Sequence, residues 1–324
     1  MASSTPTPPP PPPQTGPVIT SPSSGSSVQS PILFTGSVAG TPNVDHSRLL
    51  LDGKSSLMYG GILPMKNKWI FISPVGQHTL TLTAYDKSDN PLGSTTTNVT
   101  ISGQKTPAVL PKLQTIPEWQ WCTQELAGSV CAAGLGQATS TQTLNVATPS
   151  LSGASTQFSI GGTQGYSNSL WWISLGGGTP LNTFTYDLDF YVDNADVSEA
   201  MEFDVNQSFG GTRFTWGTEC SYKNTKKWDV WDPLNEVWVP SSAPCPPVTS
   251  KQWHHLKWQF NKVNNQVHYI SVTLDNTTYP VNMTFNPEPN WNLEDIDVAF
   301  QMDGDANQDP YNVWLDNVTL TASY

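Results

Sequence analysis

The chain has 324 residues, 37% of them hydrophobic and 12% charged, with 14 basic against 26 acidic side chains and a net charge of −12. Few Lys and Arg and no basic run leave nothing to displace counterions from a phosphate backbone, which argues against a nucleic-acid partner. The 13 Trp, 10 Tyr and 11 Phe exclude a wholly disordered chain, and no stretch reaches the ~18 apolar residues of a spanning helix, so no membrane insertion is expected.

The length suits two domains of roughly 100–200 residues each. Met1 leads into Ser, Thr and Pro with no apolar stretch, so a secreted or cell-surface protein whose signal has already been removed is the expectation. The unbroken run Pro8–Pro13 predicts that residues 1–16 form an extended, proline-rich disordered spacer. From 17 to 103 short strands alternate with turn residues. In His78-Thr79-Leu80-Thr81-Leu82-Thr83-Ala84-Tyr85 apolar and polar side chains alternate with period two, as in a half-buried antiparallel strand. About seven strands in ninety residues fit a β-sandwich. Residues 104–118, with prolines at 107, 111 and 117, read as a linker.

Composition then shifts, with twelve of the thirteen Trp in 119–324. This segment is also strand-rich and fits a large two-sheet jelly roll. The cysteines fall into two local pairs without C-x-x-C spacing, predicting disulfides Cys122–Cys131 and Cys220–Cys245, with free thiols as the alternative. Five sequons, at Asn98, Asn206, Asn276, Asn282 and Asn317, would permit glycosylation in a eukaryotic host.

The strand Ala200–Gln207 carries the most chemistry. Period two sends Met201, Phe203 and Val205 into a core and sets Glu202, Asp204 and Asn206 on the opposite face. Carboxylates so close repel each other, which raises a pKa and can set an acid beside a base or nucleophile; an exposed polar face is the plainer reading. Glu219 shares the polar face of the following strand, Thr212–Glu219, with Arg213 and Thr215, and is the candidate second carboxylate, or else a partner of Arg213 or a nearby lysine. Adjacent Trp171 and Trp172 must face opposite sides of a strand. Trp172, Trp216 and Trp231 are the candidate sugar-stacking rings, with core packing as the alternative for each, and Asn206 and Gln207 are candidate partners for hydroxyls. Asp303, Asp305 and Asp309 place oxygens along a loop that fits either a structural calcium or an acidic solvated turn, and no other cofactor is implied. His254, His255 and His268 have no nucleophile motif beside them and read as packing residues.

The Val-Ile-Thr-Ser-Pro opening, the Leu-Leu-Leu-Asp-Gly-Lys turn and the Gly-Gln-His-Thr-Leu-Thr-Leu-Thr-Ala-Tyr-Asp strand resemble bacterial immunoglobulin-like modules. Glu202-Phe203-Asp204 on a strand, then Gln252-Trp253-His254-His255-Leu256-Lys257-Trp258, then Val272-Thr273-Leu274-Asp275, resemble the concanavalin A-like lectin/glucanase superfamily over roughly 150 residues. The resemblance to its family-16 glycoside hydrolases implies that Glu202 is a nucleophile assisted by Asp204, but Gln207 occupies the third position, where the motif has its acid/base Glu. Its legume lectins hold a manganese and calcium pair on the same Glu-Phe-Asp strand. Here no Asp or His follows between Val205 and Thr218 to complete it.

The expected architecture is therefore all-β: an N-terminal immunoglobulin-like sandwich at 17–103 and a concanavalin A-like jelly roll at 119–324. The leading functional reading is a secreted protein that binds polysaccharide or another glycan on a concave face. The alternatives are an endo-acting glycoside hydrolase using Glu202 with a second carboxylate, and a structural protein acting through self-association or cell-surface attachment.

Overall fold

The computed structural model describes residues 16–53, 55–60, 65–117, 119–122, 138–177, 179–291 and 294–324. Apart from Gly16, the proline-rich spacer lies outside the described residues. The chain is all-β, as expected: the described residues form strands and two short 3-10 turns, with no α-helix.

Residues 18–104 build a three-stranded and a five-stranded sheet. In the strand Gly76–Tyr85, His78, Leu80, Leu82 and Ala84 are buried while Gln77 is exposed and Thr79 and Thr81 are half-buried, so the alternation follows the sequence as far as Leu82, beyond which Thr83 is buried as well. Leu80, Leu82 and Ala84 join Phe34, Leu49 and Val99 in a core of their own.

Residues 108–323 build a larger sandwich. One sheet orders its strands Gln120–Cys122, Asn168–Ser174, Asp295–Gly304, Ser198–Phe209, Thr218–Ser221, Lys227–Asp232 and Val237–Pro244, with Thr212–Trp216 and Glu288–Pro289 attached beside Ser198–Phe209. The other runs Ala138–Val146, Ser155–Gly162, Tyr311–Ser323, Thr183–Val192, Trp253–Val263, Gln266–Leu274 and Thr277–Phe285. Between them Phe158, Trp171, Phe203 and Phe300 pack at centroid separations of 5.1–6.1 Å, a dense aromatic layer that rewards burial beyond its area.

The expected linker 104–118 is corrected. Ala108–Leu110 pairs with Tyr311–Ser323 as an added strand of the second sheet, and Ala108, Leu110, Leu113 and Gln114 are fully buried. The side-chain amide of Gln114 donates to Asp316 Oδ1 at 3.1 Å and accepts from the Val318 amide at 3.0 Å. Asp316 in turn accepts from Ser150 Oγ, Ser152 Oγ and the Leu151 and Ser152 amides. The apolar side chains of Ala108, Leu110, Leu113 and Ile116 outweigh the prolines here, because burying them is worth roughly 25 cal/mol per Å².

The cores also touch each other. Phe71, from the end of the smaller sandwich, is buried in the larger core, and its amide donates to the Leu175 carbonyl at 2.9 Å. Gly176 sits at that contact with φ +86°, and a Cβ there would lie 2.8 Å from Ile70 Cγ2. Only glycine combines that backbone with so close an approach.

Candidate functional site

The strand Ser198–Phe209 is central in its sheet and runs against Asp295–Gly304 without irregularity from Ala200 to Ser208. Side-chain direction therefore alternates strictly. Met201, Phe203 and Val205 point into the sandwich core, and Glu202, Asp204 and Asn206 lie on the outer face, each 7–8% exposed.

The strand beside it repeats the pattern. Ile296, Val298, Phe300 and Met302 are buried in the core, while Asp295, Asp297, Ala299, Gln301 and Asp303 line the outer face. Register sets Gln301 opposite Glu202, Ala299 opposite Asp204 and Asp297 opposite Asn206. On the other flank Glu202 faces Glu219 directly, and Val205 faces Trp216, which brings Gly217 opposite Asp204. Across the sheet one row thus reads Trp172, Ala299, Asp204, Gly217, then Trp231 and Trp238. The two smallest side chains flank Asp204, and indoles stand beyond them. A Cβ on Gly217 would meet Trp231 Cβ at 2.9 Å, so the glycine is what lets the indole lie over the sheet. At about 4.8 Å per strand, Trp172 and Trp231 stand about 19 Å apart across a groove. This groove has a volume of 880 Å³ and is lined by nine carboxylates against the single guanidinium of Arg213.

Burial dominates the electrostatics. It raises Glu202 well above the ordinary carboxylate range, helped by repulsion from Asp303, Asp204 and Glu219. Asp204 is pushed up to about 8 by burial, against the Thr218 amide, which donates to its Oδ1 at 2.9 Å. Glu219 is pushed up to about 7 by burial and by Asp229 and Glu199. Asp295, Asp297 and Asp303 are raised too, by burial first. The Gln301 amide donates to Glu202 and, at 3.1 Å, to Asp303 Oδ1, and Asn206 Nδ2 donates to Asp297 Oδ1 at 2.8 Å. The arrangement can hold protons near neutral pH and accept hydrogen bonds, with aromatic faces at both sides.

Of the residues singled out by sequence, Glu202, Asp204, Asn206, Glu219, Trp172, Trp231 and Asp303 line this groove together. Gln207 does not. In an unbulged strand the fifth residue after Glu202 falls on the opposite face, and Gln207 is fully buried, donating to the Thr179 carbonyl at 2.6 Å and accepting from Lys262. Burial pushes that lysine down to about 8. Gln207 therefore neither contacts a ligand in the groove nor stands where a groove acid/base would stand.

Trp216 is likewise corrected from binding to core. It is opposite the inward Val205 and is fully buried against Phe184, Phe214 and Phe260. The expected strand Thr212–Glu219 is broken at Gly217 into Thr212–Trp216 and Thr218–Ser221. Asp303, Asp305 and Asp309 do not converge as a calcium loop would. Asp303 turns to Gln301 in the groove, Asp305 pairs with Lys223 at 2.9 Å and Asp309 is exposed, and no metal-holding group of His, Cys, Asp or Glu occurs among the described residues. Cys220 and Cys245 form the expected disulfide, whereas Cys131, and with it the pairing Cys122–Cys131, lies outside the described residues. The sequon at Asn206 sits in the groove floor and is too buried to accept a glycan.

Sequence reasoning missed Trp291 and Ala299 as lining residues. Arg213 lies 4.4 Å from the centre of the Trp291 ring, a cation–π contact that closes one end of the groove. The alternation Asp295-Ile296-Asp297-Val298-Ala299-Phe300 was a usable signal for the Ala299 face, but only pairing reveals that this face adjoins Glu202.

No protein-family model and no curated protein matches the chain. Among solved structures, a carbohydrate-binding module of the β-sandwich superfamily is 8% identical, covering 94% of this chain and 97% of its own, with a TM-score of 0.34. A cellulose induced protein is 13% identical over 63% of this chain and 90% of its own, at 0.39. A mutant alginate lyase solved with an alginate trisaccharide is 10% identical over 52% of this chain and 81% of its own, at 0.35. At these scores the likeness carries no inference about ligand or reaction.

Proposed function

We propose that the protein binds a glycan chain along this groove, outside the cell. The observation that carries the reading is the row Trp172, Ala299, Asp204, Gly217, Trp231: indole faces for the apolar faces of pyranose rings, a floor cleared by the smallest side chains, and carboxylates and amides for hydroxyls. The Cys220–Cys245 disulfide supports an oxidising compartment.

A second reading, glycoside hydrolysis, is favoured by one feature. Glu202 and Glu219 are cross-strand partners, which sets their Cβ atoms about 5 Å apart, and retaining enzymes hold their two carboxyls at about that distance. Glu219, with a pKa of about 7, would supply the proton.

Affinity electrophoresis against a panel of soluble polysaccharides, run beside an assay of reducing-end release, tests both readings. Binding should fall at least about tenfold in Trp231→Ala with the fold intact. Retardation without release leaves a binding protein; release that disappears in Glu202→Gln makes it a hydrolase; neither retardation nor release on any polysaccharide overturns the proposal.

A further inference from the structure

The groove is unbalanced in its hydrogen bonding as well as its charge. Gln301, 2% exposed, donates its amide to Glu202 and Asp303, and its Oε1 has no partner. Asn206, 7% exposed, donates to Asp297, and its Oδ1 has no partner. These are the only unpartnered buried side-chain polar atoms of the groove lining among the described residues, and both are acceptors. Each sits among carboxylates, which when ionised also only accept. The two clusters lie four residues apart along one strand, about 13 Å.

A sugar hydroxyl brings a donor together with acceptor lone pairs, so it leaves such a cluster partly mismatched. A primary ammonium brings three donors, no acceptor and a positive charge. The single cation lining the groove, Arg213, stacks on Trp291 at one end, where its charge also favours ionised Asp295 and Asp297, and it leaves the Gln301 cluster without a charge partner of its own.

We propose that Gln301 Oε1 with Glu202 and Asp303 forms a subsite for the protonated amine of an amino-sugar unit, so that the preferred ligand is a cationic, de-N-acetylated glycan. This rests on the glycan reading above, and the indole walls are what favour a sugar amine over a lysine side chain. Polyuronates, which bring further carboxylates and no cation to a groove lined by carboxyl groups, are rejected. The carboxyl protons held here by burial and repulsion are released when the ammonium enters.

Titration calorimetry at about pH 6 and low salt, in two buffers of different ionisation enthalpy, tests this with glucosamine oligomers, their N-acetylated counterparts, neutral glucan oligomers, oligogalacturonate and oligolysine. The free-amine oligomer should bind at least about tenfold tighter than the N-acetylated one and release protons, and the preference should collapse in Asp303→Asn and in Glu202→Gln. Near-UV circular dichroism reports the fold of each variant, and the two variants stand in for each other should one fail to fold. Equal or tighter binding of N-acetylated or neutral oligomers overturns the amine subsite and leaves the glycan groove standing. Oligolysine binding as tightly as the sugar, and indifferent to Trp231→Ala, overturns it in favour of a basic peptide. Binding of none of the five ligands overturns the amine subsite, and the glycan groove then stands or falls with the polysaccharide panel above.

Discussion

Glu202, Asp204 and Glu219 are carboxyl groups that folding has made harder to ionise. A carboxyl whose pKa is higher folded than unfolded holds its proton more tightly in the native chain. Its contribution favours folding at low pH and is lost as pH rises through the folded value, about 7 for Glu219 and about 8 for Asp204. The thermal midpoint should therefore lie several degrees higher at about pH 5 than at about pH 8.5, and Glu202→Gln should raise the midpoint at the alkaline end and flatten the profile. A fluorimetric melt across that range checks it, and a midpoint that rises with pH would contradict the assignment. The outward pair Glu202 and Asp204 was legible from period two alone. Gln207 was misplaced because a motif borrowed by resemblance was laid over the strand, where strict alternation already sends it inward.

At the scale of the strand, small residues matter as much as charged ones. Gly217 breaks the strand after Trp216 and leaves room for Trp231, whose amide donates to the Gly217 carbonyl at 3.0 Å. Gly217→Ala should displace the indole and weaken glycan binding by about tenfold or more, while costing only about 1–3 kcal/mol of stability, measured by binding and by urea denaturation together. A variant that binds as wild type would show that the indole's seat is not set by this glycine. Trp216 illustrates the same lesson from the other side. It alternates with Arg213, Thr215 and Glu219, so its core position followed from the pattern that placed those residues outside.

In the whole molecule, Phe71 joins two cores that composition would separate. Removing its ring leaves a cavity at the contact with Gly176 and the larger sandwich. Phe71→Ala should cost about 3–5 kcal/mol and split one cooperative unfolding transition into two, followed by calorimetry. Retention of a single transition would mean that the remaining contacts suffice to couple the halves. The stretch 104–118 belongs to this scale as well, since Gln114 and the strand Ala108–Leu110 tie it to the final strand of the chain.

The amino-acid sequence by itself determined the all-β class, the period-two faces of the strands and the local pairing of Cys220 with Cys245, because these depend on neighbours along the chain or close to it. Only the tertiary structure decided that the Asp295–Gly304 strand lies against Glu202, that Trp231 and Trp172 stand on opposite sides of one groove, and that the proline-bearing stretch before residue 118 is part of a sheet. Those outcomes depend on pairing between strands about a hundred to two hundred residues apart, where the burial of whole faces selects among many local patterns that are equally acceptable in isolation.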